Sequence, residues 1–198
     1  MRARVLLLSC LCSGCALLSK GQPLAPRYFS PDAERAPASA TPSSPAQELR
    51  LGQINAAAHL EERIAYRPSP GELGYYDSWR WTEPPQAYLR RALARELFER
   101  RGVVRVVSGN APTLSVELTS FEEVRGAQPS ARVELAVLLR GERSALLERT
   151  LREERPLPAG AAEDPQRLTR ALSLALDAAV SQVADLVSAR LAEPPPKP

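Results

Sequence analysis

The sequence predicts a single α+β domain, mainly an antiparallel sheet packed against two helices and preceded by a signal peptide and a Pro-rich linker. Two segments, 87–98 and 168–187, carry apolar residues at helical spacing. Between them, 103–107, 114–119 and 132–139 are β-branched or alternate apolar with polar residues, the period of a half-buried strand. Strands, helix, strands, helix in that order fit helices gathered on one face of a sheet, and an antiparallel sheet can keep its other face wet.

At the N-terminus, Arg2 and Arg4 precede the apolar run from Val5 to Cys12. A basic start and a short apolar run make a secretory signal peptide, here 1–14. The run falls short of the roughly 20 residues that span a bilayer. Ser13 and Gly14 then precede Cys15. This resembles the bacterial lipobox, although Cys12 stands where the pattern usually has leucine. The resemblance implies cleavage before Cys15 and a covalent diacylglyceryl and N-acyl lipid, palmitate included, on its sulfur. No other cofactor is expected. The plainer alternative is an ordinary signal peptide with incidental cysteines. Asp after the cysteine is the usual inner-membrane retention signal. Ala16 stands there instead and favours the periplasmic face of the outer membrane over the inner membrane.

Residues 15–47 carry six prolines among Ala, Ser and Thr, a linker composition. Arg27-Tyr28-Phe29 interrupts it as an edge strand. The domain is expected at 48–192. Arg63–Arg67 and Glu72–Tyr76 flank Pro68-Ser69-Pro70-Gly71 and read as a hairpin. Pro84-Pro85 opens the first helix, with Leu89, Ala92, Leu93 and Leu97 on one stripe and Ala87, Ala94 and Phe98 on a second; Gly102 stops it. Turns at 126–129 and 140–142 separate the later strands, the last over Leu146–Glu153. Asp164 caps the second helix, and Pro165 takes its first position. Its stripe runs Leu168, Ala171, Leu172, Ala175, Leu176, Ala179, Val183, Leu186, Val187, opposite Arg167, Arg170, Asp177, Ser181 and Asp185. That stripe predicts core packing; a membrane-surface helix would need a more basic polar face. Residues 193–198, with Pro194-Pro195-Pro196, form a tail that cannot continue a helix.

The 198 residues are 44% hydrophobic and 25% charged, ordinary for one globular domain. Of the net charge of +3, Arg2 and Arg4 supply two, which leaves +1 beyond the signal peptide. That excess does not support nucleic-acid binding. His59, the only histidine, has no metal-ligand neighbours and no nucleophile beside it. Neither a phosphate loop nor a Gly-x-Ser-x-Gly elbow is present. The reading is therefore non-enzymatic, with no catalytic residue and no metal. The arginines at 90, 91, 95, 100, 101 and 105 interleave with Glu96 and Glu99, as on a solvated helix face; anionic headgroups or an acidic partner are the alternative.

Six of the ten aromatics lie between Tyr66 and Tyr88. Tyr66, Arg67, Tyr75, Tyr76, Trp79 and Trp81 are the candidate contacts to a partner protein or a lipid chain, because aromatics and arginine dominate interface hot spots. The alternative makes Trp81 and Tyr66 core and the rest half-buried. Tyr75 and Tyr76 take opposite sides of a strand, and Trp79 and Trp81 share one.

The pieces Arg27-Tyr28-Phe29, Ile64-Ala65-Tyr66-Arg67, Tyr75-Tyr76 and Trp79-Arg80-Trp81, leading into a helix with spaced leucines, resemble the ABC-type transport auxiliary lipoprotein family of the paraquat-inducible protein C type. The resemblance implies an accessory lipoprotein of an envelope system. Its partners would be an ABC permease and ATPase and a mammalian-cell-entry (MCE) domain protein that bridges the periplasm in lipid transport. It also implies docking of that bridge at the outer membrane, and in some members a homo-oligomeric ring. A structural or assembly lipoprotein that tethers an envelope complex without handling lipid is the alternative.

Overall fold

The computed structural model describes residues 25–31, 47–158 and 164–193. The predicted signal peptide, Cys15, most of the linker and the tail from residue 194 lie outside them.

The sheet is organised around one strand, β6 (Thr113–Val124). Leu114, Val116 and Leu118 alternate with polar residues, then the register against the next strand slips between Leu118 and Ser120. The bulge resets the alternation, so Phe121 joins the same face as Leu118 and is also buried. Along one edge, β7 (Ser130–Arg140) runs antiparallel to β6, and β8 (Ala145–Pro156) antiparallel to β7. Val133, Leu135, Val137 and Leu139 of β7 are all buried. The opposite face is wet and held by cross-strand ion pairs, Arg132 with Glu154 and Arg152 with Glu134, each at 2.7 Å.

The other edge of β6 is shared. β2 (Glu48–Ala56) lies parallel to its first half, along Thr113–Leu118, and β3 (Arg63–Arg67) parallel to its second, along Glu122–Val124. β3 turns back into β4 (Gly74–Trp81), and β4 carries β1 (Arg27–Phe29) in parallel. β2 carries β5 (Val104–Arg105), also in parallel. The long ladders are antiparallel and the short additions parallel, which makes the sheet mixed. The expected hairpin is present, but its second strand runs over Gly74–Trp81 instead of Glu72–Tyr76. Of the β-branched run 103–107, only Val104–Arg105 pair, and Val107 is 84% exposed.

Both helices cover the buried face. α1 (Pro85–Ala94) places Leu89 and Leu93 at 0% exposure, and Leu97 in the turn that follows is equally buried. Over Arg95–Arg100 it widens into a π-type turn, in which Arg101 N–H bonds back to Glu96 O at 3.0 Å. Gly102 takes φ +67, and Val103 N–H then closes on Leu97 O at 3.0 Å, so the chain turns away where the sequence predicts a stop. α2 (Pro165–Ala192) starts at Asp164, whose carboxylate accepts from the backbone N–H of Gln166 (3.0 Å) and Arg167 (3.3 Å). Its whole predicted stripe is buried except Leu186, which is half-buried, and Val180 and Ala184 join it. By length and composition α2 could cross a membrane; its apolar stripe is spent on the sheet. Arg101 ties the helices together, reaching Asp185 at 2.5 Å and Glu96 at 3.1 Å.

Candidate functional site

β4 supplies most of the candidate residues, and a bulge arranges them. Arg63 pairs with Arg80 while Ala65 pairs with Tyr75, so β4 holds extra residues between those points. That shift brings Tyr76 and Trp79, three apart in sequence, into a stack with centroids 3.8 Å apart and planes inclined by 16°. The edge of Tyr66 meets Tyr76 at 5.2 Å, and Phe29 of β1 meets Trp79 at 6.2 Å. The rings form one strip from β3 across β4 to β1. Trp81 instead enters the core, tilted on Phe121 at 5.0 Å and edge-on to Tyr88 at 6.1 Å. The Tyr88 hydroxyl shares a hydrogen bond with Thr82 Oγ1 at 2.8 Å and accepts from Glu83 N–H at 3.0 Å.

Charge enters the strip from β6. Glu123 is 1% exposed and accepts from Tyr76 Oη at 2.5 Å and from Arg125 Nε at 2.9 Å. The Arg125 guanidinium lies 3.5 Å from the Tyr66 ring centre and 5.1 Å from that of Tyr76. Burial, reinforced by the bond to Glu123, pushes the Tyr76 phenol far above its ordinary pKa. Burial alone would lower that of Arg125; its bonds to Tyr76 and Glu123 outweigh this and raise it. Tyr66 lies over Gly74, its cross-strand partner, so closely that a Cβ there would sit 2.5 Å from the ring.

On the other face of the same strands, Arg67 grips Glu122 in a two-point pair, Nε to Oε1 at 2.8 Å and Nη2 to Oε2 at 3.2 Å. Glu122 is 1% exposed. The hydrogen bond to Glu122, opposed by partial burial, holds the Arg67 guanidinium still more firmly protonated. Tyr75 is half-buried, donates to His59 O at 3.0 Å and lies under the Arg63 guanidinium at 4.8 Å.

The structure thus gathers Tyr66, Tyr76 and Trp79 in one strip, sends Trp81 to the core, and puts Arg67 and Tyr75 elsewhere. Trp79, at 8% exposure, is buried and not outward-facing. Tyr66 is half-buried, short of the core position that one reading gives it. Glu122, Glu123 and Arg125 were not singled out in the sequence. Their signal is two adjacent acids inside an otherwise alternating strand, with an arginine just beyond. Several members of the arginine run have internal partners: Arg91 pairs with Glu83 at 2.7 Å, Arg100 with Glu96 at 3.2 Å, and Arg105 lies 5.7 Å from the centre of Phe98. Among the described residues, no group of three His, Cys, Asp or Glu side chains could hold a metal. An open groove of about 340 Å³ lies where β1 meets α2, lined by Tyr28, Phe29, Pro31, Thr169, Arg170 and Ser173.

The family profile described as "ABC-type transport auxiliary lipoprotein component" matches residues 31–184. The chain belongs to this family. The matched span holds β2 through β8, α1 and most of α2, so the auxiliary lipoprotein family accounts for nearly the whole fold. A crystal structure from Xanthomonas campestris, described under the family name DUF330, superposes with a TM-score of 0.66 at 22% identity, covering 79% of this chain and 95% of that one. An uncharacterised protein gives 0.58 at 17% identity, with 77% and 99% covered. A hypothetical protein from Chlamydia trachomatis gives 0.52 at 9%, with 74% and 98% covered. These likenesses establish that the auxiliary lipoprotein fold recurs. No curated sequence matches.

Proposed function

We propose that the protein is a lipid-anchored accessory subunit of an ABC-type envelope transport system, held at the periplasmic face of the outer membrane through Cys15. There it would dock the periplasm-spanning MCE-domain component. The observation that carries this reading is the family match over residues 31–184. The Ser13-Gly14-Cys15 sequence supplies the anchor, and Ala16 the preference for the outer membrane. Acyl chains on one sulfur would hold the domain firmly, since each buried methylene contributes about 0.8 kcal/mol.

One observation favours docking without lipid handling by this subunit. The aromatics that could have gripped a chain are engaged internally: Trp79 and Trp81 are buried, and Tyr66 and Tyr76 are bound up with Arg125 and Glu123. The test is metabolic labelling with a fatty-acid analogue, followed by membrane fractionation and co-purification of the MCE protein. Wild type is expected to carry label, to fractionate with the outer membrane and to bring the MCE protein down. Cys15→Ser should lose the first two. Unlabelled, soluble wild type would overturn the anchor, and labelled protein that never captures the MCE component would overturn the docking role.

A further inference from the structure

Among the described residues, the large apolar side chains left exposed are Tyr28, Val104, Val107 and Leu174. They fall at two poles of the molecule. Val107 lies in the loop leading to Asn110, which shares a groove with Arg190 and Leu191 at the C-terminal end of α2. Tyr28, 60% exposed, lines the groove at the opposite end of α2 with Ser173, and Leu174, 54% exposed, is the next residue. Ser173 Oγ donates to Pro31 O at 2.7 Å, which fixes the end of β1 against the helix.

The length of chain before the fold separates these poles. Arg27 follows Cys15 by twelve residues. Such a length of chain spans at most roughly 40 Å. From Gln166 to Arg190 the helix rises roughly 36 Å. For a fold hung from Cys15, contact through the Val107 end would use nearly that whole span, whereas the Tyr28 end adjoins the point where the chain enters the fold.

The rim chemistry fits a bilayer surface. Arg167 and Arg170 precede Leu174 on α2 by two turns and one turn, and Arg27, whose guanidinium lies 5.4 Å from the Phe29 ring centre, precedes Tyr28; all three are exposed. Asp164 is bonded to Arg167 at 2.9 Å, and Asp177 lies one turn beyond Leu174. Tyrosine and arginine beside an aliphatic side chain are what headgroup layers accommodate, ring and alkyl part inward, hydroxyl and guanidinium among phosphates. We propose that this pole, with Tyr28 and Leu174 at its centre, rests in the headgroup layer of a bilayer containing anionic phospholipid and orients the domain with its Val107 end toward its partners. The proposal rests on the Cys15 anchor put forward above.

The test places a polarity-sensitive fluorophore on Leu174→Cys or on Val107→Cys in the full lipidated protein. Each is reconstituted in vesicles of phosphatidylethanolamine and phosphatidylglycerol (3:1) with a doxyl-lipid quencher. Quenching at residue 174 is expected to exceed that at residue 107 at least threefold. Adding Tyr28→Ser, or replacing phosphatidylglycerol with phosphatidylcholine, should lower quenching at residue 174 at least twofold. Equal quenching at both sites in protein that floats with the vesicles overturns the proposal and leaves the anchor standing. Protein that does not float refutes the anchor. The surface is then read on vesicles of pure phosphatidylglycerol, where no emission shift at residue 174 overturns it too.

Discussion

The Arg67–Glu122 pair offers the sharpest check on how the β3–β6 junction is held. Arg67→Met keeps most of the side-chain length and removes the charge. It leaves a carboxylate at 1% exposure without the two charge-assisted bonds, 2.8 and 3.2 Å, that satisfy it. Removing one partner of a buried pair costs about 3–5 kcal/mol. The Arg67 side chain is 27% exposed, so water can partly replace it, and the low end, about 3 kcal/mol, is expected. With an m-value near 2 kcal/mol/M, the urea midpoint should fall by roughly 1.5 M. Glu122→Leu alone strands a partly exposed arginine and should cost about 1–2 kcal/mol. The double variant Arg67→Met/Glu122→Leu replaces the pair with apolar volume and should lie within about 1 kcal/mol of wild type. Urea unfolding followed by far-UV circular dichroism on all four proteins gives the coupling energy, about 4–5 kcal/mol by these figures. Strictly additive single effects, or an Arg67→Met cost below about 0.5 kcal/mol, would refute the claim that this pair secures the junction.

Two further outcomes follow from the aromatic strip. The Tyr76 phenol is raised in the folded state, so its contribution is complete below the ordinary tyrosine pKa and is lost as pH climbs beyond it. Wild-type stability should decline above about pH 10, more steeply than that of Tyr76→Phe, and the difference in absorbance at 295 nm between the two proteins should show Tyr76 ionising only as the protein unfolds. Gly74→Ala puts a methyl 2.5 Å from the Tyr66 ring, which cannot retreat without leaving Arg125; a loss of about 1–3 kcal/mol in thermal unfolding is expected. A neutral Gly74→Ala would mean that the ring does not lie where described.

Both helices were legible because their stripes are long and their ends chemically marked. Asp164-Pro165 and Gly102 act locally, and the structure places a cap and a stop at those positions. The meander from β6 to β8 was legible for the same local reason. β2 was not, because its register slips between Leu51 and Ile54, and the buried Leu49 and Ile54 fall out of period two. Nor could alternation reveal that β2 and β3 share an edge of β6 in parallel, since pairing partners leave no trace in either strand's own pattern. The aromatic candidates were visible as a composition bias, but the β4 bulge decided which of them stack. Glu122 and Glu123 read as polar interruptions until Arg67 and Arg125, from the ends of two strands, turn them into buried anchors.

Because β2 and β3 lie end to end on β6, neither is joined to the main sheet until residues 113–124 are present. A fragment ending before residue 113 would carry the β3–β4 hairpin and the apolar stripe of α1 with no sheet to receive them. The domain should therefore assemble late and all at once, slowly for its size, and a newly made chain should remain threadable and open to protease for most of its length.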